Sequence, residues 1–155
     1  SQSEESLDLR ILIRSSQSFS EFLPEYPKVQ SPHLFVDLAH HHTLSLGPFV
    51  FPGETACLRC FAGRITRRWG DLQPPEVPQA SEHAELIAAL IFEQIKKFQQ
   101  CGSCLDLVER TWTFNLESFS SQFDELFRLP WCELCYPDRA REGTGSYQLP
   151  WKLED

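Results

Sequence analysis

Apolar and polar positions alternate with a period of two through much of the first third of the chain. Residues 7–14 read as a short strand, with Leu9, Ile11 and Ile13 on one side and Leu12 on the other. Residues 33–39 read as a second strand and 43–51 as a third. The third carries Leu44, Leu46, Phe49 and Phe51, so its alternation slips at Gly47-Pro48. A bulge or bend belongs there, because proline cannot donate inside a ladder. Between the first two strands, residues 15–20 are a polar loop or the start of a short helix carrying Phe19, Phe22 and Leu23. Pro24, Pro27 and Pro32 predict an extended, irregular stretch after it.

The period changes further on. Residues 61–69 can begin a helix, and 70–80, with Pro74, Pro75 and Pro78, read as a loop. Residues 81–100 predict the longest helix: Leu86, Ile87, Leu90, Ile91, Ile95 and Phe98 recur at helical spacing and form one apolar stripe. Ser81 is placed to cap it, Glu82 and Glu85 suit its positive end, and Lys96 and Lys97 suit its negative end. Gly102 is the expected stop. Residues 105–116 return to alternation, with Val108, Arg110, Trp112, Phe114 and Leu116 on one face and Glu109, Thr111, Thr113 and Asn115 on the other. Residues 119–129 are a further short strand or an irregular crossing. From residue 137 the chain turns polar, with one sticky spot at Leu149-Pro150-Trp151, so the division expected is a domain over 1–136 and a tail or linker over 137–155.

Composition narrows the function classes. A chain of 155 residues is long enough for one domain with a core, and 12 Phe and 4 Trp supply large units to bury. The formal charge of −8 argues against nucleic acid as a main partner, since phosphate binding needs a basic surface. No apolar run approaches the roughly 20 residues of a membrane span. The polar, acidic start does not look like a signal peptide, and the absence of Met suggests a processed piece or a domain cut from a longer protein. With no secretion signal, a reducing cytoplasm is the expected compartment.

The 6 cysteines fall into three Cys-x-x-Cys pairs: Cys57/Cys60, Cys101/Cys104 and Cys132/Cys135. Disulfide scaffolds seldom space cysteines so uniformly; metal and redox sites do. Two pairs complete a closed tetrahedral zinc site, and spacing alone leaves three choices of two pairs. Cys101-Gly102-Ser103-Cys104 resembles a redox motif, but it follows a predicted helix C-terminus, where the dipole raises a thiol pKa. His40-His41-His42 cannot all face one ion, because consecutive side chains splay, and a solvated loop is the reading preferred. Arg59, Arg64, Arg67 and Arg68 beside Trp69 form a basic cluster that either grips an acidic peptide, a phosphate or a partner's carboxylates, or is a solvated face. Trp112 and Trp131 are expected in the core. No G-x-G-x-x-G follows a strand, no G-x-x-x-x-G-K-[ST] occurs, and no nucleophile signature is recognisable.

Taken in order, Gly47-Pro48-x-x-x-Pro52-Gly53-x-x-x-Cys57-x-x-Cys60, a long helix, a strand, and Leu129-Pro130-x-Cys132-x-x-Cys135 resemble the ThiF-like (ubiquitin-activating-enzyme-like) component of azoline-forming peptide cyclodehydratases. These systems make thiazole/oxazole-modified peptides, bacteriocins among them. The match spans about residues 9–135. The resemblance implies an α/β fold: the C-terminal part of a ThiF-like Rossmann-type domain, with a small mixed sheet, one long helix and a structural tetracysteine zinc site. It maps the zinc ligands onto Cys57, Cys60, Cys132 and Cys135 and gives Cys101 and Cys104 no counterpart. It also implies a non-catalytic scaffold that docks a YcaO heterocyclase and helps to position the precursor peptide, with homo- or hetero-oligomeric assembly left open. The chain departs from the family in lacking the winged-helix leader-binding element and the glycine-rich first half. A stand-alone zinc-bound interaction module is the alternative, and a thiol oxidoreductase using Cys101 and Cys104 is a further one.

Overall fold

The computed structural model describes residues 8–100 and 105–137. The readings that fall on 101–104 and 138–155, including the Cys101/Cys104 pair, the stop at Gly102 and the spot at Leu149-Pro150-Trp151, lie outside the described residues.

Five strands form one mixed sheet in the order of the chain: β1 (Arg10–Arg14), β2 (His33–Asp37), β3 (Thr43–Val50), β4 (Arg110–Asn115) and β5 (Ser121–Glu125). β1 and β2 run parallel, and every later pair is antiparallel. The crossover between β1 and β2 holds α1 (Phe19–Phe22) and a 3-10 helix (Leu23–Lys28). Between β3 and β4 lie α2 (Leu58–Trp69), a short 3-10 turn (Gln79–His83) and α3 (Ala84–Gln100).

Strand alternation sorts the side chains into two cores on opposite faces. Leu34 and Val36 of β2 join the core under α3, whereas Phe35 joins the core under α2. On β3 the parity reverses partway. Leu44 and Leu46 face α3 before Gly47-Pro48, and Phe49 faces it afterwards, while Val50 turns to the α2 side. The ladder shows why: Leu34 pairs with Phe49 and Val36 with Leu46, so two residues of β3 oppose one of β2. The expected bulge is therefore real, and the extra residue is what keeps apolar side chains inward on both sides of it. The Gly47-Pro48 bond is cis and Gly47 has φ of 96°. A Cβ on Gly47 would stand 2.5 Å from the Arg110 carbonyl oxygen, so only glycine fits.

Several boundaries differ from expectation. Pro24 and Pro27 sit in a 3-10 helix rather than an extended stretch. Proline's fixed φ suits a helical first turn, and Pro24 stands at the start of this one. Residues 15–20 resolve into a capped helix start: Ser18 and Glu21 form a capping box, and Asp71 accepts from the Phe19 and Ser20 N–H groups at 2.7 and 2.8 Å. Ser81 is not the cap of α3; it lies inside the 3-10 turn that leads into it. α2 begins at Leu58, three residues earlier than expected, with Cys57 as its N-cap. β4 is shorter than residues 105–116, and β5 supplies the strand left open within 119–129.

Candidate metal centre

Two peptide segments far apart in sequence meet at the buried start of α2. Cys57 is the N-cap and Cys60 lies in the first turn, so a three-residue step brings both thiols to one side. Cys132 and Cys135 repeat that step in a tight turn, where the Cys132 N–H donates to the Leu129 carbonyl at 3.0 Å and the Tyr136 N–H to the Cys132 carbonyl at 2.9 Å. The sulfurs converge: Cys57 to Cys60 is 3.8 Å, Cys57 to Cys132 is 3.5 Å and Cys60 to Cys135 is 3.6 Å. These distances are far too long for disulfides. A tetrahedral zinc with Zn–S bonds of about 2.3 Å spaces its sulfurs about 3.8 Å apart. The four thiols thus fit one ion of this size and chemistry, and they form one of two groups of metal-binding side chains gathered among the described residues.

The surroundings act differently on the clustered sulfurs. The Leu129 N–H donates to Cys60 Sγ at 3.3 Å. The Cys57 and Cys60 thiols beside Cys132 draw its pKa well below the ordinary thiol range, with help from the Cys135 and Leu134 N–H groups. Hydrogen bonding to Cys132 and Cys60, together with burial, pushes Cys57 the other way. Burial also raises Cys135. Four thiols this close cannot all ionise unless a cation occupies the centre. Cys57, Cys60 and Cys132 are buried and Cys135 is half-buried, and the first three belong to the core under α2.

A second polar relay pins α2 in place. The Leu58 N–H donates to the Tyr26 hydroxyl at 3.0 Å, and that hydroxyl donates to His33 Nε2 at 2.8 Å. His33 Nδ1 lies 2.8 Å from the Ser31 carbonyl, which fixes the ring as the Nδ1–H tautomer. Burial lowers the His33 pKa and raises that of Tyr26, so both stay neutral.

Arg64, Arg67, Arg68 and Trp69 lie on the exposed outer face of α2. Arg67 stacks over the Trp131 ring at 5.3 Å, Arg64 over Phe127 at 5.6 Å, and Arg68 over Trp69 at 5.9 Å. The three arginines and Trp131 line one open groove, and Arg64 and Arg68 share a second with Trp69, which also borders a further cavity. Trp131 is 60% exposed, which corrects the expectation of a core residue; Trp112 packs on the α3 side. The apolar residues around Trp131 on its own turn gave no hint that an arginine from another segment would stack on it.

The sequence also concealed a buried ion pair. Arg14, at the end of β1, is 1% exposed and donates to Asp37 at 2.7 Å and to the Gln17 carbonyl at 3.1 Å. Its guanidinium lies 3.8 Å above the Phe19 ring and 3.1 Å from His40 Nε2. This pair borders a cavity of about 360 Å³ walled by Phe19, Phe61, Ile65, Trp69 and Leu72. An arginine closing an alternating strand is the only signal the sequence held.

Solved structures with this arrangement of strands and helices decide what the fold is. An E. coli MccB bound to MccA-N7isoASN superposes with a TM-score of 0.56 at 16% identity, over 83% of this chain and 40% of that one. An E. coli MccB with selenomethionine MccA gives 0.57 at 16% identity, over 83% and 39%. A heterocyclase in complex with substrate and cofactor gives 0.56 at 19% identity, over 82% and 20%. The fold is that of one part of MccB and of one part of a heterocyclase. The resemblance read from the sequence holds at that level, and the chain spans less than half the length of these proteins. No protein-family model and no curated protein matches the sequence. Among the described residues, no helix is long and apolar enough to cross a membrane.

Proposed function

We propose that this chain is the non-catalytic, zinc-stabilised scaffold of a ribosomal-peptide cyclodehydratase complex. In this reading it works in a reducing cytoplasm, docks a YcaO-type heterocyclase and helps to position the precursor peptide for ATP-dependent azoline formation. The four-thiol cluster carries the proposal. Four thiolates around zinc leave no position for water, so the ion supplies folding free energy rather than Lewis acidity. The shared fold with MccB and a heterocyclase supports the setting.

The exposed face of α2 is the docking surface in this account. Arg64, Arg67 and Arg68 concentrate positive charge on a chain whose net charge is −8, and Trp69 and Trp131 offer flat apolar area beside them. Such a surface suits a carboxylate-bearing segment of the heterocyclase or of the precursor.

A pull-down of the 155-residue chain against a purified YcaO-type heterocyclase from the same source tests the proposal. The zinc-loaded chain is expected to retain that protein, and Arg64→Ala/Arg67→Ala to weaken retention. Adding the chain should raise the yield of heterocycles, read as loss of one water per ring in the precursor's mass. Neither retention nor a change in yield would contradict the scaffold role and leave the stand-alone zinc module. Disulfide exchange that survives zinc removal would instead favour the oxidoreductase reading.

A further inference from the structure

The three consecutive histidines separate as their spacing dictates. His40 turns to Arg14, His41 sits at the turn with φ of 50°, and His42 points toward the lead-in of α3. There His42 Nδ1 stands 3.3 Å from His83 Nε2, a residue 41 positions further along the chain. The Glu82 carboxylate is close by, and one donor atom from each of the three residues lies within 4.8 Å of the others.

We propose that His42, Glu82 and His83 form a second metal site, independent of the four thiols, which takes a divalent transition-metal ion such as zinc. Three observations support it. Zn–N bonds of about 2.0–2.1 Å place two tetrahedral nitrogens about 3.3–3.4 Å apart, the separation these rings have without an ion to draw them together. The donors come from two separately anchored segments: the His42 carbonyl accepts from the Leu116 N–H at 2.7 Å, and Glu82 and His83 are held in the 3-10 turn that runs into α3. The donor set, two imidazoles and a carboxylate, is one that binds zinc with a water in the remaining position. His42 and His83 are half-buried and Glu82 is exposed, so the ion reaches the site from solvent. The bound ion ties the β2–β3 turn to the entry of α3, on the opposite side of the sheet from the thiol centre.

The test is a cobalt titration of the full chain carrying Cys101→Ser and Cys104→Ser, with the four-thiol centre already loaded with zinc. One cobalt per chain should bind, with visible d–d absorption and no thiolate-to-metal charge-transfer band. His42→Ala and His83→Gln should each lose this equivalent and keep the zinc at the thiols. Saturating zinc should raise the melting temperature of the parent chain and leave that of His83→Gln unmoved. Should His42→Ala fail to fold, His83→Gln and Glu82→Gln, on a surface turn, carry the test alone. No cobalt bound, a charge-transfer band, or binding retained in His83→Gln would overturn the assignment.

Discussion

The two faces of the sheet are closed in different ways. On the α3 face, Leu34, Val36, Leu44, Leu46, Phe49 and Leu116 are buried beneath a helix that contributes Ile87, Leu90, Ile91 and Phe98. Apolar area is the main covering there. On the α2 face, aromatic rings from Phe19, Tyr26, Phe35 and Phe61 surround the cysteines, and the segment holding Leu126, Leu129 and Cys132 arrives from the far end of the core. That segment has little regular structure beyond β5: residues 126–136 form no helix or strand. Burial of Leu126 and Leu129 is a modest anchor for so irregular a stretch, and the thiols supply the rest. A sheet can thus be covered by periodic burial on one side and by a converging cluster of four thiols on the other.

The largest expected effect breaks the α2 face. Cys132→Ser should lose the metal and the cooperative unfolding transition together, read by metal analysis and circular dichroism. Structural zinc sites contribute about 10–16 kcal/mol of apparent binding free energy, as large as the whole stability of a typical domain. A smaller effect marks the other face. Leu46→Ala removes a side chain that is 1% exposed and should cost about 2–5 kcal/mol in denaturant unfolding, with the metal retained. Metal lost in Leu46→Ala, or kept in Cys132→Ser, would erase the distinction between the faces.

The smallest effect is a pH dependence on the α2 side. Burial lowers the pKa of His33, and of His40, below the ordinary value of 6.5. A depressed histidine pKa favours the neutral ring in the fold. Its contribution is therefore full above pH 6.5 and is lost as pH falls through the lower, folded-state value. Protonating His33 removes the acceptor for the Tyr26 hydroxyl, and with it part of the relay that holds the Leu58 N–H at the start of α2. Stability of the metal-loaded protein should decline below pH 6.5 before metal is released, and less so in His33→Gln. An identical decline in His33→Gln would remove His33 from the account.

What the sequence revealed follows the same division. The α3 face was legible because it is periodic: the stripe on residues 81–100 brings Ile87, Leu90, Ile91 and Phe98 to the core, although Leu86 stays exposed, and the slip at Gly47-Pro48 follows from the same spacing rule. The α2 face was legible only through its cysteines, and their pairing needed a family resemblance, since three pairs offer three equivalent choices. The start of α2 was misplaced because a cysteine N-cap carries no propensity signal, whereas Ser81 carries a strong one in a turn that does not use it. The Arg14–Asp37 pair and the His42–His83 approach join residues 23 and 41 positions apart, and no local pattern encodes such meetings.

Zinc-edge X-ray absorption of the purified chain, loaded with one equivalent of zinc, reads the ligand shell itself. Four sulfur neighbours at about 2.3 Å and no nitrogen or oxygen neighbour are expected. The same spectrum from Cys101→Ser/Cys104→Ser should be unchanged. A shell mixing sulfur with nitrogen or oxygen, or a sulfur shell lost in that variant, would contradict a closed centre built from Cys57, Cys60, Cys132 and Cys135.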